Sequence, residues 1–288
     1  MRRAHFLTTL LGTAALPALA NVPLPARGAS APDVELPAVF HGGRPFLNLT
    51  ASDGSKILAW LDTNGSGFVS KTLVDRLHLP ASGGRAPLPK FVQNVPTLAA
   101  DAMLPVVDTV TPNDPILTGV DVQLGASWFA GRVWSIDYRN QRMIWHPDNH
   151  SLTDDAIVSF KMIFPNGPYP VIPVVVAGEL FKMDLDTAAS VVDRRGSVTA
   201  TSFITHARFD KWHKAHPDWM VQAISPGVDR IDVPEVNIAK YPVGGVSFTT
   251  RPSDDVFEGE SVDGKLGSNA WSFSVLMLDY IRSLAGIA

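Results

Sequence analysis

The chain of 288 residues contains no cysteine. This absence excludes disulfides, thiol nucleophiles, zinc–thiolate sites and attachment of a lipid to a cysteine. Charged residues are also few, at 18%, and the net charge of −4 with a pI of about 6.0 does not indicate a nucleic acid or an anionic membrane as a partner. No nucleotide-binding glycine motif or metal-ligand set stands out, so we expect no cofactor and no metal.

Proline and glycine, by contrast, are plentiful, with 23 and 22 residues. They separate short apolar runs, a pattern typical of an all-β protein with many turns. The hydrophobic fraction of 45% and the positive mean hydropathy support a sizeable core. A chain of this length accommodates two lobes of about 130 residues, within the usual range for a domain. We therefore predict an all-β fold.

The N-terminus has the features of an export signal. Arg2-Arg3 is followed by an apolar stretch from Phe6 to Leu19, which is short for a membrane span, and by the cleavage-type sequence Ala18-Leu19-Ala20. We predict a signal peptide over residues 1–20 and a flexible lead-in over residues 21–34. The mature protein is expected to be periplasmic or secreted, without a membrane span and as a monomer. The twin-arginine and general secretory routes both remain open.

An Asp-Thr dipeptide occurs twice in matching surroundings, as Asp62-Thr63-Asn64-Gly65-Ser66 and as Asp186-Thr187-Ala188-Ala189-Ser190. A turn glycine precedes each aspartate by eight residues, Gly54 in one copy and Gly178 in the other. A third dipeptide, Asp108-Thr109, lacks the small residues that a tight turn needs and matches nothing else. The two matched copies indicate an internal duplication with one carboxylate in each half.

Two further pairs of motifs follow in the same order. Val120-Asp121-x-x-Leu124-Gly125 is repeated as Val262-Asp263-x-x-Leu266-Gly267, and an Asp-Tyr comes seventeen residues after each valine, at Asp137-Tyr138 and Asp279-Tyr280. The Asp-Tyr carboxylates are expected to accept backbone hydrogen bonds in turns. Four features that agree in order predict two pseudo-symmetric copies of one fold.

We place the N-terminal lobe at residues 35–147, a polar linker at 148–156 and the C-terminal lobe at 157–288. Each lobe is expected to begin with a strand pair that ends at its aspartate. Ser70 is predicted to cap a short helix over 71–77. The second copy is longer between its aspartate and its Leu-Gly, and a helix-like segment from Phe203 to Trp212 is expected to account for much of the surplus.

The two runs, Trp60 to Ser66 and Met183 to Ser190, resemble the signature of bacterial retropepsin-like aspartyl proteases. In that family an element of two hydrophobic residues and a glycine passes behind each catalytic loop, and Leu124-Gly125 and Leu266-Gly267 match it loosely. The resemblance covers most of the mature chain, and the tandem arrangement is similar to that of pepsin-like enzymes. It implies two pseudo-symmetric, acid-protease-like β-barrel lobes with a few short helices and with the active site between the lobes.

The resemblance also implies a mechanism. Asp62 and Asp186 would hold one water as a coupled dyad and hydrolyse a peptide bond of a substrate bound in the cleft. Thr63 and Thr187 would hydrogen-bond across the interface. Ser66 and Ser190 would orient the two carboxylates. The residues that would support the carboxylates, these serines included, are Asn64, Gly65, Ser66, Ala188, Ala189 and Ser190.

Two departures from the family bear on activity. The family prefers glycine two residues after the aspartate, where a backbone N–H points at the carboxylates, but this chain has Asn64 and Ala188. If these residues misplace the donors, restoring glycine at both positions should raise turnover. The alternatives are a catalytically inactive, aspartyl-protease-like protein that binds peptides, and a structural duplication without a cleft ligand.

Two other segments leave a choice of interpretation. No tyrosine lies between Asp62 and Leu124, so the tyrosine of a pepsin-type flap is missing, and the segment from Gly83-Gly84 to Val95 is either a glycine-rich flap or a surface loop. The three histidines at 206, 213 and 216 lie at helical spacing. Because no well-placed carboxylate completes a metal set, a solvated amphipathic helix is the better interpretation.

Overall fold

The computed structural model describes residues 31–108, 114–149, 156–254 and 262–288. The predicted signal peptide, the lead-in up to residue 30 and the middle of the predicted linker, 150–155, lie outside the described residues. Within the described ranges, no helix combines the length and the apolar character needed to cross a membrane.

β-Structure dominates, which confirms the predicted all-β class. The strands and helices of the first half are β1 (Val34–Leu36), β2 (Ala38–His41), β3 (Arg44–Thr50), β4 (Lys56–Leu61), β5 (Phe68–Ser70), α1 (Lys71–Leu77), β6 (Arg85–Ala86), β7 (Leu104–Val107), β8 (Val122–Leu124), α2 (Ala126–Phe129), β9 (Val133–Asp137) and β10 (Arg142–Trp145).

The second half begins with β11 (Val158–Lys161) and continues with β12 (Val171–Val176), β13 (Glu179–Asp186), β14 (Ser190–Val192), β15 (Val198–Ala200), β16 (Ser202–Ile204), α3 (His206–Ala215), β17 (Met220–Ser225), β18 (Val228–Ile238), β19 (Tyr241–Thr249), β20 (Gly264–Gly267), a 3₁₀ turn (Ser268–Trp271), β21 (Val275–Asp279) and β22 (Leu284–Ile287). As predicted, the side chain of Ser70 caps α1 by accepting a hydrogen bond from the N–H of Leu73.

Each half builds one seven-stranded sheet, and these sheets define the two lobes. The order is β2-β3-β4-β8-β5-β7-β6 in the N-terminal lobe and β12-β13-β20-β16-β19-β18-β17 in the C-terminal lobe. In both lobes, the strand that leads to the Asp-Thr dipeptide, β4 or β13, pairs in parallel with a later strand, β8 or β20. The other neighbour of this later strand is antiparallel to it and is β5 in the first lobe and β16 in the second. The repeated topology agrees with an internal duplication.

A six-stranded sheet, β1-β10-β9-β21-β22-β11, joins the two halves. Its centre is the antiparallel pair β9–β21, in which Ser135 lies opposite Met277. The pairing is symmetric about this point. Val133 pairs with Asp279, and their repeat-related residues, Val275 and Asp137, pair with each other in the same way. The pseudo-twofold axis therefore passes between Ser135 and Met277. Large side chains are buried around this sheet: Trp128, Phe129, Trp134 and Trp271.

The Asp-Tyr carboxylates occupy turns at the ends of β9 and β21, as predicted. Asp137 accepts the backbone N–H of Asn140, and Asp279 accepts that of Arg282, at 2.9 Å in both cases. The tyrosines that follow them, Tyr138 and Tyr280, are buried.

The prediction of a helix from Phe203 to Trp212 is wrong at its start. Residues 202–204 form β16, which pairs with β19 and β20, and Thr205 caps α3 from 206 onwards. The apolar residues of β16 continue the pattern of the helix face, so periodicity alone does not separate the two. The surplus length lies mainly elsewhere: β5 starts six residues after Asp62, whereas β16 starts sixteen after Asp186, and the β14–β15 hairpin fills the difference.

The segment that follows Gly83-Gly84 is a surface loop at the end of β4 remote from Asp62. The backbone N–H of Ser52 donates to Lys90, that of Val92 donates to Thr50, and the N–H of Thr50 donates to the side chain of Gln93. These contacts tie the segment to the β3–β4 turn, while Asp62 follows the opposite end of β4. Of the two interpretations, the surface loop therefore agrees with the structure.

Candidate active site

Two parallel strand pairs deliver the paired aspartates to the lobe interface. Asp62 directly follows β4, and Asp186 is the last residue of β13. Both side chains are buried, with relative exposures of 7% and 9%. Buried carboxylates need partners that satisfy their oxygens, because burial of an unpaired charge is costly. The surrounding loops supply such partners.

The threonines that follow the aspartates exchange hydrogen bonds across the interface. The backbone N–H of Thr63 donates to Oγ1 of Thr187, and the N–H of Thr187 donates to Oγ1 of Thr63, at 3.1 Å in both directions. Each hydroxyl then donates to the other lobe, Thr63 to the carbonyl of Leu185 at 2.6 Å and Thr187 to that of Leu61 at 3.2 Å. Since all of these groups are buried, the exchange fixes the two loops against each other.

A backbone donor is present at both positions where the family prefers glycine. The N–H of Asn64 donates to Oδ1 of Asp62 at 2.9 Å, and that of Ala188 donates to Oδ1 of Asp186 at 3.0 Å. Neither Asn64 nor Ala188 has a positive φ. Both donors are therefore in place, so the condition under which restored glycines would raise turnover is not met; a Cβ is compatible with the backbone conformation that directs each N–H to its carboxylate.

Gln123 satisfies the second oxygen of one aspartate. Its Nε2 donates to Oδ2 of Asp62 at 2.6 Å, and its Oε1 accepts from the N–H of Gly67 at 3.3 Å. A Cβ at Gly65 would collide with Oδ2 of Asp62 and with Nε2 of Gln123. The glycine three residues after Asp62 is thus what allows the amide to reach the carboxylate.

A buried lysine contacts the same loop from the other lobe. Nζ of Lys265 donates to Oδ1 of Asn64 at 2.6 Å and lies 3.4 Å from Oδ2 of Asp184. Lys265 and Asp184 face each other across the parallel pair β13–β20. The side chain of Asn64, which the family pattern lacks, is therefore held by a residue 201 positions away in the chain.

A second buried cation, on the N-terminal lobe, contacts the Asp-Thr loop of the C-terminal lobe. Nη1 of Arg44, on β3, donates to Oγ of Ser190 at 3.0 Å and to Asp114 at 2.8 Å, and the side chain of Arg44 has no solvent exposure. Ser190 therefore has a partner in the opposite lobe, and Ser66 lies in the wall of a cavity described below. Ala189 is buried against Phe203, and its N–H donates to the carbonyl of Asp186.

The two Leu-Gly elements pass behind the loops. The carbonyl of Leu124 accepts the N–H of Asp62 at 3.0 Å, and Leu266 pairs in register with Leu185. A Cβ on Gly125 would collide with the backbone of residues 65–67, and one on Gly267 would collide with the carbonyl of Thr201. Only glycine permits these close approaches.

Burial and mutual charge set the protonation of the dyad. Loss of hydration raises the pKa of Asp62, and the negative charge of Asp186 raises it further. Burial also raises the pKa of Asp186, against the opposing positive charges of Lys265 and Arg251. Two buried carboxylates that influence each other titrate as a pair, so one proton is shared over a range of pH above the usual values for aspartate.

Two buried tyrosines lie within the electrostatic range of the dyad in a crossed arrangement. Burial raises the pKa of Tyr138, and the charge of Asp186, in the other lobe, adds to this effect. Tyr280 has its pKa raised by burial and then by Asp62. Both hydroxyls remain neutral, so they add no charge to the site.

A cavity of about 390 Å³ opens beside the first loop. The N-terminal lobe contributes Asn64 and Ser66 to its wall, and the C-terminal lobe contributes most of the remainder, including Asn166, Tyr169, Asp184 and Lys265. The volume lies within the range of small-ligand pockets. The cavity therefore offers space for a ligand group next to the loop that follows Asp62.

The described part of the chain contains no cluster of three or more histidines or acidic residues that could hold a metal. On α3 and at its end, His206 pairs with Asp254, and His216 stacks on Trp219. These histidines thus have local structural partners and do not converge on one point.

The sequence interpretation missed four polar side chains that complete the site: Arg44, Gln123, Asp184 and Lys265. One signal was available. A polar residue precedes each Leu-Gly, at Gln123 and Lys265, in an element that is otherwise hydrophobic in the family. For Arg44 the sequence carries no such signal, since nothing local connects it with Ser190.

No protein-family model matches the sequence, and no curated protein matches it. Solved structures that resemble the fold include conglutin gamma, a unique basic 7S globulin from lupine seeds, with a TM-score of 0.53, 11% identity and coverage of 88% of this chain and 94% of that chain. The basic 7S globulin from soybean has a TM-score of 0.50 and 11% identity, with coverage of 89% and 94%.

An aspartic proteinase from Irpex lacteus is similar as well, with a TM-score of 0.52, 10% identity and coverage of 89% of this chain and 97% of that chain. At this identity the likeness concerns the fold alone. The chain thus has the double-lobed, pepsin-like fold that the sequence predicted, and its neighbours include both a proteinase and seed globulins.

Proposed function

We propose that the protein is an exported aspartic endopeptidase that hydrolyses peptide bonds with a water held between Asp62 and Asp186. The observation that carries the proposal is the reciprocal hydrogen bonding of Thr63 and Thr187, each of which directly follows one of the two buried aspartates. A purely structural duplication has no need of two adjacent buried acids, which destabilise the fold when both ionise.

The protonation of the pair assigns roles to the two carboxylates. We assign the shared proton to Asp62, whose pKa is raised by burial and by the charge of Asp186, and the ionised role to Asp186, where the positive charge of Lys265 opposes the effect of burial on the pKa. Asp186 takes a proton from the water as the water oxygen bonds to the substrate carbonyl carbon, and Asp62 donates its proton to the carbonyl oxygen. Collapse of this intermediate breaks the C–N bond, and a proton passes to the leaving amine. The remaining donors hold the carboxylates in place.

A peptide-binding protein without turnover is the second candidate. The amide of Gln123 occupies one oxygen of Asp62, and a side chain stands at both positions where the family has glycine. Two of the similar structures are seed globulins. Against this candidate, both backbone donors still point at the aspartates.

The test is digestion of a diverse peptide pool between pH 3 and pH 8 by the mature protein and by its Asp62→Asn and Asp186→Asn variants. The Asp108→Asn variant is the matched control, because Asp108 also precedes a threonine but lies outside the site. We expect cleavage by the wild type and the control and its loss in both dyad variants. Cleavage that persists in a dyad variant would exclude the mechanism, and peptide binding without cleavage by the wild type would favour the second candidate.

The proposal includes export of the protein from the cytoplasm. The predicted signal peptide over residues 1–20 would be removed, and the mature monomer would act in the periplasm or outside the cell on a peptide or protein substrate. N-terminal sequencing of the protein recovered from the periplasm and the medium tests this: a start at or near Asn21 is expected, and recovery of the intact chain from the cytoplasm would contradict it.

A further inference from the structure

The cavity beside the loop that follows Asp62 has a buried ion pair in its wall. Asp184 and Lys265 lie in it as a nearly buried pair, with side-chain exposures of 7% and 10%. Asn64, Ser66, Asn166 and Tyr169 add further polar groups, and the wall is completed by three apolar residues, Pro165, Val171 and Val262. A ligand group that enters this cavity therefore meets both hydrogen-bond acceptors and hydrogen-bond donors.

Strand geometry places this wall on the side of the sheet that carries the dyad. Side chains at positions i and i+2 of a strand point to the same face, so Asp184 shares a face with Asp186. Lys265 is in register with Asp184, as Gly267 is with Asp186. Nζ of Lys265 also contacts Asn64, two residues from Asp62. A peptide whose scissile bond lies at the dyad would thus have a neighbouring side chain within reach of the cavity.

The equivalent position in the other lobe has different chemistry. There, Trp60 stands two residues before Asp62 and is in register with Gln123. The amide of Gln123 is engaged by Asp62 and Gly67. The pseudo-symmetry therefore gives two corresponding walls, of which one carries an ion pair and the other an indole. The two sides of a bound peptide are not equivalent.

The ion pair discriminates among side chains. An apolar group would displace water from Asp184 and Lys265 without replacing its hydrogen bonds, which is costly for buried charges. A carboxylate would be attracted by Lys265 but repelled by Asp184, and an ammonium or guanidinium would meet the reverse, so neither charge gains a net attraction to repay its own desolvation. A carboxamide carries a donor and an acceptor on one neutral group, so it can serve both members of the pair.

We propose that this cavity is a specificity subsite for an asparagine or glutamine side chain on one side of the scissile bond. The inference rests on the proposed endopeptidase function for its consequence in catalysis. As a statement about binding it depends only on the cavity. Sites built to hydrogen-bond a substrate group reject analogues that lack it far more strongly than hydrophobic pockets reject a missing methylene.

The experiment compares peptides of one sequence that carry Gln, Leu, Lys or Glu at each of the two positions flanking the scissile bond in turn. We expect kcat/KM for Gln to exceed that for each of the other three by tenfold or more at one flanking position and not at the other. Cleavage with Leu equal to or better than Gln at both positions would overturn the inference while leaving the endopeptidase function intact.

The same peptides with a reduced, uncleavable bond (–CH₂–NH–) separate binding from chemistry when their Kd values are measured by calorimetry. If nothing is cleaved, a tenfold tighter Kd for the Gln peptide supports the subsite although the endopeptidase proposal fails. Equal Kd values in that case overturn both.

An Asp184→Leu/Lys265→Met variant removes both charges together, so that no single buried charge is left unpaired. We expect its Gln/Leu ratio to fall by tenfold or more. A Lys71→Met/Asp75→Leu variant is the control, since it removes an exposed ion pair on α1 and should keep the wild-type ratio. Retention of the wild-type ratio in the Asp184/Lys265 variant would refute the inference. Should that variant fail to fold, the wild-type peptide series decides alone.

Discussion

Lys265 and Asn64 are joined by a hydrogen bond of 2.6 Å between Nζ and Oδ1, across the lobe interface and two residues from Asp62. The asparagine replaces a glycine of the family pattern, and the lysine replaces a hydrophobic residue. Each substitution alone would add a polar group to a crowded interface. Together they satisfy each other, so the two departures form one structural unit.

For this reason, restoring glycine at positions 64 and 188 should not raise the proposed peptidase activity. Both backbone donors are already in place in the wild type, so the Asn64→Gly/Ala188→Gly variant gains no donor, while Lys265 loses the acceptor that Asn64 provides. We expect kcat to stay level or to fall several-fold, measured on a cleaved peptide. Ala188→Gly alone serves as the control and should remain within about twofold of the wild type. A gain of tenfold or more in the double variant would show that the present donors are misaligned.

Removing the amide on Asp62 should reduce turnover. Gln123→Leu deletes the 2.6 Å hydrogen bond to Oδ2, and hydrogen bonds to charged groups contribute about 1.5–3 kcal/mol. We expect kcat to fall about 10- to 100-fold. The alkaline limb of the pH profile should also move to higher pH, because the ionised form of Asp62 loses a donor. Gln93→Leu, at the remote end of β4, is the control. An unchanged limb would argue against a role for this amide in the protonation of the dyad.

The raised pKa of Asp62 predicts an effect on stability with a definite sign. The folded state holds this proton more tightly than the unfolded state does, so the contribution is complete below the ordinary value of 3.8 and is lost as pH rises through the folded pKa. The carboxamide that Asp62→Asn introduces cannot ionise. We therefore expect this variant to be more stable than the wild type at pH 7, with each unit of raised pKa worth about 1.4 kcal/mol.

Urea unfolding at pH 7 and at pH 4 measures this difference. The stability gap between Asp62→Asn and the wild type should narrow on acidification, whereas Asp108→Asn should show no such trend. A gap that widens at pH 4 would mean that Asp62 is stabilised as an ion in the folded protein.

Loss of one interface hydroxyl should destabilise the fold. Thr63→Val preserves shape but leaves the carbonyl of Leu185 and the N–H of Thr187 without the hydroxyl that now serves both. Each orphaned buried group costs about 1–3 kcal/mol. We expect a decrease of about 2–6 kcal/mol in the free energy of unfolding, measured by urea titration. Thr72→Val, exposed on α1, should change it by less than about 0.5 kcal/mol. Equal effects of the two substitutions would contradict this account of the interface.

The sequence predicted the parts of the molecule that depend on local order. The matched Asp-Thr runs, their turn glycines and the Leu-Gly elements led to the fold class and to the residues at the lobe interface. The start of α3 was misplaced because β16 continues its apolar pattern. The β14–β15 hairpin was missed because residues 190–200 carry only a short alternation.

Contacts that depend on strand register could not be predicted in the same way. Gln123 meets Asp62 because β8 runs parallel to β4, and Lys265 meets Asn64 because β20 lies beside β13 and faces the opposite lobe. Neither pairing is encoded near the residues concerned. The side-chain donors Gln123 and Lys265 could therefore be identified only from the pairing of the strands in the folded sheets.

The pairing of β9 with β21 about Ser135 and Met277 has a further consequence. Because the pairing is symmetric, β21 lies beside β9 in the register that a second copy of β9 would have. The contact between the two strands therefore has the geometry of a homodimer contact. Such a dimer must carry identical walls on both sides of its cleft, because any mutation appears twice. A single chain that contains both halves is free of that constraint. Trp60 and Asp184, which hold equivalent places, illustrate the divergence that covalent linkage permits, and a cleft built in this way can distinguish the direction of the chain it binds.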